Sequence, residues 1–267
     1  MSRTLILGGG FGGIAAALEL RGLVGADHEI VLVDRRPAFA MGLRKLWELA
    51  GVGTIADGSR PRARLAERGI RVVEEEITAI DPERRSADTV AGRLDGDHLV
   101  VALGAESRPD LVPGLTEHGH DIWTFAGVPP AAGALRRLDG GRILILIAGA
   151  PYPCPPGPYE CAFHVDEHLR ERGARDRSEI AVVTIQPMLM PNAGPAGSDW
   201  MAGQLDARGI GHRAGAKLER VEADRVVLAD GEEPFDLLLA VPPHRPPAVV
   251  QTSGLTAEHG WIGVDPG

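Results

Sequence analysis

The feature that most constrains this chain is a glycine-rich turn close to its start. A short apolar run, residues 3–7 (RTLIL), leads directly into residues 8–13 (GGGFGG), and an alanine-rich helical pattern follows from Ile14. The turn has the spacing G-x-G-x-x-G, which lets a strand turn tightly into a helix while its backbone approaches a phosphate group. The pattern therefore predicts a strand–turn–helix unit with a nucleotide site at the turn.

Each glycine of the turn has its own physical role. Gly8 allows the tight turn off the strand, Gly10 lets the backbone approach a pyrophosphate, and Gly13 lets helix and strand pack together. The helix start adds free N–H groups and a partial positive charge. A second strand over residues 29–33 ends at Asp34, about 20 residues beyond Gly13, where an acid can bind the hydroxyls of an adenosine ribose. The spacing alone does not distinguish NAD from FAD.

Composition narrows the class of protein. The chain has 267 residues, 44% hydrophobic and 24% charged, as in an ordinary globular protein, and its net charge of −9 argues against a nucleic-acid partner. No run approaches the roughly 20 apolar residues of a membrane helix. Two cysteines do not make a disulfide framework, so we expect a cytoplasmic protein whose cysteine chemistry is local.

The strand–glycine turn–helix pattern occurs a second time near residue 145. Residues 142–147 form the strongest apolar strand, a loop rich in glycine and proline follows, and a helix runs to about residue 172. We predict an α/β fold with two Rossmann-like dinucleotide-binding domains, the first of which is discontinuous. Turn-rich segments set the boundaries: residues 1–108 plus 245–267 form the first domain, and residues 109–244 form the inserted one.

The second turn departs from the nucleotide-binding pattern. Gly149 remains, but prolines fill the positions around it, and proline has no N–H to offer a phosphate. Its second strand ends in residues 184–187 (TIQP), which provide neither an acid for NADH nor an arginine for NADPH. We predict that the inserted domain does not bind NAD(P)H.

The same loop presents two candidate catalytic residues. Cys154 precedes a helix start, a position at which a thiolate is favoured. Glu160 follows in the first helical turn, where it is a candidate proton shuttle, although an acid is favourable there on electrostatic grounds alone. Cys161 falls inside the helix and is expected to be a small buried residue.

Two further strings carry a resemblance to a known family. Residues 150–160 (APYPCPPGPYE) and residues 101–105 (VALGA), with Leu103 where threonine is usual, resemble FAD-dependent pyridine nucleotide-disulfide oxidoreductases of the sulfide:quinone oxidoreductase and flavocytochrome c sulfide dehydrogenase type. The resemblance covers almost the whole chain. It implies that the N-terminal turn binds FAD. The implied cofactor residues are Gly8, Gly10, Phe11, Gly12, Gly13, Asp34, Arg35 and Gly104.

The resemblance also implies a reaction. In that family the cysteine equivalent to Cys154 lies beside the flavin, handles sulfur and pairs with a second cysteine much later in the chain. We therefore expect sulfide as the small-molecule substrate, a quinone or cytochrome as electron acceptor, no integral membrane segment, attachment to a membrane surface in longer relatives, and a homodimer as one allowed assembly.

The sequence departs from this family in two places. The distal cysteine has no counterpart, because Cys161 lies about two helical turns from the loop, roughly 10 Å along a helix and beyond disulfide reach. The chain also ends at residues 261–267, just where relatives continue, so we expect a C-terminally truncated chain with an incomplete FAD domain.

Two other functions stay open. Residues 164–168 (HVDEH) match the H-x-x-E-H pattern, so that His164, Glu167 and His168 are candidate zinc ligands and base of a hydrolase. The polar residues around them favour a solvated helix face instead, and we predict no metal. The other alternative is a non-catalytic FAD-binding remnant of the same family.

Overall fold

The computed structural model describes residues 2–265. Within that range the strands are β1 (Arg3–Leu7), β2 (Glu29–Val33), β3 (Ala38–Ala40), β4 (Ser59–Pro61), β5 (Arg71–Val73), β6 (Ile77–Asp81), β7 (Ser86–Thr89), β8 (Gly92–Asp95), β9 (His98–Val101), β10 (Glu106–Ser107), β11 (His120–Asp121), β12 (Gly141–Ile147), β13 (Ser178–Thr184), β14 (Ile210–Arg213), β15 (Leu218–Val221), β16 (Arg225–Leu228), β17 (Gly231–Pro234), β18 (Leu237–Val241) and β19 (His244–Arg245). The α-helices there are α1 (Phe11–Leu23), α2 (Arg44–Ala50), α3 (Leu115–His118), α4 (Val128–Arg137), α5 (Gly157–Glu171), α6 (Gly194–Asp206) and α7 (Ala248–Gln251).

The described chain divides into two compact units. The first unit contains residues 2–41, 59–106 and 245–265, and the second contains residues 42–58 and 107–244. Residues 42–58, which the sequence reading places in the first domain, therefore belong to the second unit. Residues 1, 266 and 267 of the expected first domain lie outside the described range.

The first unit is built on a parallel sheet in the order β5-β2-β1-β9. Helix α1 covers one face, where Ala17 packs with Ile6 and Leu32. The antiparallel strands β6, β7 and β8 cover the other face, where Ile80 packs with Leu5. Because successive strand residues point to opposite faces, both faces of β1 are buried, which explains its unbroken apolar sequence.

The second unit repeats the plan with a parallel sheet in the order β11-β18-β12-β13-β14. Helices α2, α4 and α5 lie on the face that carries Ile143, Ile145 and Ile147. The antiparallel strands β15, β16 and β17 lie on the face that carries Leu144 and Leu146. Two parallel sheets with helices confirm the predicted α/β class.

Residues 164–168 of helix α5 are not the solvated face that the sequence predicts, because Val165 and Asp166 are buried. Cys161, Val165, Asp166 and Leu169 are all buried, so one side of the helix belongs to the core. Arg170 and Arg175 bind the Asp166 carboxylate at 2.9 and 2.5 Å. Burial opposes the ionisation of Asp166, but these hydrogen bonds outweigh it and hold its pKa below the ordinary value.

Among residues 2–265, no helix is long and apolar enough to cross a membrane.

Candidate functional site

The glycine turn of the first unit is shaped by close backbone contacts. Gly8 has a φ of +103°, and a Cβ on it would lie 2.4 Å from the carbonyl oxygen of Ala102. A Cβ on Gly13 would lie 1.8 Å from the carbonyl oxygen of Gly8. Side chains at these two positions are therefore incompatible with the turn from β1 into α1, as the spacing predicts.

Gly10 is different, because a Cβ on it would meet nothing within 4 Å. Gly10 caps the N-terminus of α1, whose first turn contains no acidic residue. Open space in front of free helix N–H groups is the arrangement that accepts an anionic phosphate. The residues of this turn therefore fit the pyrophosphate of a dinucleotide.

Asp34 lies beneath the turn and is only 9% exposed. Its Oδ2 accepts the Gly9 N–H at 2.8 Å and lies 3.4 Å from Nη2 of Arg62, and its Oδ1 accepts the Arg36 N–H at 2.9 Å. Arg62 is buried and donates from Nε to the Gly9 carbonyl at 2.7 Å. The pair holds the glycine turn in place, and binding of a ribose by Asp34 stays a prediction.

The remaining predicted cofactor residues lie in the same unit. Phe11 is 64% exposed and meets Phe39 edge-on with ring centroids 4.9 Å apart. Arg35 is exposed and pairs with Glu76 at 3.0 Å. Gly104 follows β9 with a φ of +70°, and a Cβ on it would meet nothing within 4 Å. A Cβ on Gly12 would lie 3.8 Å from the Cβ of Ala102. Their contacts with FAD stay predictions.

The cysteine loop of the second unit follows β12 at the carboxyl end of the sheet. Cys154 is exposed and has a φ of +64°, a left-handed conformation that is uncommon for a residue other than glycine. Its carbonyl accepts the Gly157 N–H at 3.0 Å, which closes a turn into α5. In open parallel sheets, ligands bind at this edge, outside the carboxyl ends of the strands.

The prediction of a favoured Cys154 thiolate is wrong, because other effects outweigh the helix start. Desolvation and the Glu160 carboxylate raise the pKa of the Cys154 thiol above its ordinary value. The Gly157 N–H and the Lys45 ammonium act in the opposite sense without cancelling that effect. Cys161 is fully buried, and desolvation raises its pKa to about 12, in keeping with the buried residue predicted.

Lys45, which the sequence reading missed, lies in the same region of the second unit. Its Nζ donates to the carbonyl of Trp123 and lies 5.7 Å from the Trp123 ring centroid and 5.4 Å from that of Phe125. Desolvation lowers the pKa of Lys45, while Asp121 and Cys154 favour its charged form. The sequence feature that could have identified Lys45 is the rarity of lysine, which occurs only at Lys45 and Lys217 in an arginine-rich chain.

The zinc alternative finds no support in the second unit. Nδ1 of His168 lies 3.1 Å from the Ala50 carbonyl oxygen, and its buried Nε2 has no hydrogen-bond partner among the described residues. Among residues 2–265, no three histidine, cysteine, aspartate or glutamate side chains converge closely enough to hold a metal ion.

Known proteins resemble between about two thirds and nearly all of the chain. A sulfide-quinone reductase from Aquifex aeolicus is 29% identical over 273 residues, which cover 94% of this chain and 60% of that protein. A demethylphylloquinone reductase from Synechocystis is 33% identical over 191 residues, which cover 64% of this chain and 44% of that protein. The crystal structure of the Aquifex aeolicus sulfide:quinone oxidoreductase superposes with a TM-score of 0.90 at 25% identity and covers 97% of this chain and 63% of that one.

The chain thus spans about three fifths of the length of the sulfide-quinone reductases that it matches. Residues 2–267 match the pyridine nucleotide-disulphide oxidoreductase family. Members of this family bind FAD, which confirms the cofactor that the family resemblance implied. With the two Rossmann-type units, the match shows that the chain belongs to the pyridine nucleotide-disulphide oxidoreductase family.

Proposed function

We propose that the chain is an FAD-dependent oxidoreductase that oxidises sulfide at Cys154 and passes the electrons to a quinone. The observation that carries this is the cysteine loop, which holds an exposed thiol in a left-handed conformation beside a lysine and a helix start. The sulfide-quinone reductase of Aquifex aeolicus supports the substrate and the acceptor. A cytoplasmic location and a homodimer stay predictions.

The chain's own residues account for the sulfur chemistry. An S–S bond forms between Sγ of Cys154 and the sulfur of HS⁻, and together the two sulfurs lose one proton and two electrons to give a persulfide. FAD, when bound, supplies the two-electron oxidant for this reaction. Lys45 and the Gly157 N–H favour the anionic form of the sulfur, and Glu160 is the nearby carboxylate that can take up the proton.

Residues of the glycine turn would hold the cofactor. The open space at Gly10 and the free N–H groups of α1 would receive the pyrophosphate, while the buried Asp34–Arg62 pair would keep the turn in shape. The candidate ribose ligand is Asp34, whose Oδ1 accepts the Arg36 N–H and lies 3.7 Å from Nε of the same arginine.

The proposal includes no use of NAD(P)H by the second unit. A Cβ on Gly149 would lie 2.3 Å from Cα of Pro243, so the turn after β12 packs against the residues that follow β18. Between Gly149 and the start of α5, the loop is rich in proline and carries Cys154. Prolines cannot donate the backbone hydrogen bonds that a pyrophosphate needs.

The test is anaerobic mixing of the FAD-loaded chain with sulfide, followed by the visible flavin absorbance and by the mass of the Cys154 peptide. We expect the absorbance to bleach and the peptide to gain one sulfur atom. Cys154→Ser should abolish both changes, while the matched control Cys161→Ala keeps them. NADH and NADPH should leave the absorbance unchanged on the same time scale.

The outcomes separate the alternatives. A chain that binds FAD but is not bleached by sulfide is the non-catalytic remnant. Bleaching by NADH rather than sulfide identifies a nicotinamide-dependent quinone reductase. Persulfide formation in Cys154→Ser would move the sulfur chemistry away from the cysteine loop altogether.

A further inference from the structure

The Lys45 side chain is partly buried in the second unit. It stands in the first turn of α2, whose Leu46 and Leu49 are buried in the core of that unit. Its amine is partly buried, hydrogen-bonded to the Trp123 carbonyl and placed over two aromatic rings. Ordering and desolvating a lysine has a free-energy cost, so a cation held in this way needs an anionic or electron-rich partner.

Trp123 connects Lys45 to the cysteine loop. Its backbone carbonyl accepts the lysine, and its indole Nε1 donates to the carbonyl of Pro153 at 2.9 Å. A Cβ on Gly157 would lie 2.7 Å from Cη2 of this indole and 3.5 Å from Sγ of Cys154. The indole ring and the thiol therefore border the same point at the start of α5, and Lys45 is hydrogen-bonded to the backbone of the same tryptophan.

The charges around this cluster come from several elements. Asp121 at the end of β11 accepts the Trp123 N–H at 2.8 Å and attracts Lys45. His244 after β18 is buried, and desolvation lowers its pKa. Glu160 repels negative charge on Cys154, so that Lys45 is the cation whose charge opposes that repulsion. The titratable groups that face Lys45 and Cys154 are Asp121, Tyr152, Glu160 and His244.

We propose that the Lys45 ammonium is a positioning charge that stabilises anionic sulfur on Cys154, first as the thiolate and then as the terminal sulfur of the persulfide. Trp123 fixes the separation between the lysine and the loop. The proposal rests on the proposed function only in taking Cys154 as the residue that handles sulfur. It assigns a role to a residue that lies far from the cysteine in sequence and outside the proline-rich loop.

The charge predicts a definite shift in thiol reactivity. A cation near a thiol lowers its pKa by about one unit or more, and only the thiolate is alkylated. Lys45→Met should therefore raise the pH midpoint of Cys154 alkylation by about one unit. At a fixed pH below that midpoint, the alkylation rate should fall about tenfold.

The experiment measures iodoacetamide labelling of the full chain across pH, with peptide mass spectrometry to resolve the two cysteines. Lys217→Met is the matched control, because Lys217 is exposed and is the other lysine of the chain. We expect its Cys154 profile to equal that of the parent. Lys45→Arg, which keeps the charge, should restore most of the parent profile.

Cys161 reports on folding in the same samples, because it is fully buried. If Lys45→Met exposes Cys161 to label, Lys45→Gln replaces it, since glutamine can still donate to the Trp123 carbonyl without a charge. An unchanged Cys154 midpoint in a neutral variant with Cys161 protected overturns the proposal. So does an equal shift in Lys217→Met.

Labelling needs neither FAD nor sulfide, so the two proposals fail separately. If sulfide leaves the parent flavin unchanged, the proposed function is lost while the titration still reports on Lys45. If the titration does not depend on Lys45 but sulfide still forms a persulfide, the proposed function stands and the assignment of Lys45 is wrong.

Discussion

Asp34 and Arg62 show that the acid at the end of the second strand has a structural role in the protein itself. The Asp34 carboxylate binds the Gly9 N–H and faces Arg62, and both side chains are buried. Burial of two charges is tolerated only when each keeps its partner, because an isolated buried charge is strongly destabilising.

Removal of the carboxylate should therefore destabilise the chain. We expect Asp34→Ala to lower the free energy of unfolding by about 3 kcal/mol, because Arg62 would keep its burial and lose its counter-charge. Glu67→Ala, on the exposed side of the same Arg62–Arg68 segment, should change it by about 0.5 kcal/mol or less. Urea unfolding of the FAD-free proteins makes the comparison, and equal losses in the two variants would exclude a stabilising ion pair.

Sequence reasoning found Asp34 but not Arg62 or Lys45. Spacing from the glycine turn identifies the acid, because the strand lengths between them are fixed by the fold. Arg62 lies in a charged stretch that looks solvated, and its partner is distant along the chain, so no local pattern marks it. Lys45 had only its rarity as a signal. The Cys154 pKa was predicted in the wrong direction because desolvation and Glu160 outweigh the helix start.

At the scale of elements, the glycines at the junction of β1 and α1 differ in whether protein atoms surround them. A Cβ on Gly13 would collide with the Gly8 carbonyl, whereas a Cβ on Gly10 would meet no protein atom within 4 Å. Gly22, near the end of the same helix, also has open space around it. Three alanine substitutions in one helix region therefore have three different expected results.

Gly13→Ala should lower the free energy of unfolding by about 3 kcal/mol, since α1 must move away from β1. Gly10→Ala should leave it within about 0.5 kcal/mol but weaken FAD binding by about tenfold or more, because the methyl group stands where the backbone approaches the pyrophosphate. Gly22→Ala should raise stability by about 0.5 kcal/mol and leave FAD affinity unchanged. Thermal unfolding measures the stability of each variant, and flavin titration measures its FAD affinity. Normal FAD affinity in Gly10→Ala would contradict the proposal that this turn binds the pyrophosphate.

Apolar runs predicted the central strands well and the peripheral ones poorly. Strands β1, β2, β12 and β13 are largely buried on both faces, so each contains an unbroken run of apolar residues. Residues 89–92, for example, span the hairpin between β7 and β8, and neither strand carries an apolar run. The turn there depends on Gly92, which has a φ of +137°. The polar strands β7 and β8 show little of the hydrophobic pattern by which a strand is recognised in a sequence.

At the scale of the whole molecule, the chain passes from one unit to the other more than once. Helix α2 follows β3 of the first unit, yet its Leu46 and Leu49 pack in the core of the second with Val128. Local sequence could not predict this, because an amphipathic helix shows that it has an apolar face but not which core receives that face.

The affiliation of α2 can be tested by removing one of its core side chains. Leu49→Ala should lower the free energy of unfolding by about 3 kcal/mol, because Leu49 is fully buried. Hydrogen exchange should then accelerate in α4 and α5, which pack against α2, and not in β1 and β2. Leu43→Ala is the matched control, since Leu43 is 50% exposed in the same segment. Faster exchange confined to β1 and β2 would assign α2 to the first unit.

Residues 42–58 belong to the second unit, so that unit cannot be transferred to another protein as one continuous segment. A graft of residues 107–244 onto another flavoprotein would carry the Cys154 loop and Trp123 but leave Lys45 behind. The recipient would inherit the Cys154 thiol without the cation that we propose acts on it, and a core that lacks Leu46 and Leu49. Recombination between relatives, in the laboratory or in evolution, would preserve the proposed pairing of Lys45 with Cys154 only when residues 42–58 and 107–244 are inherited together.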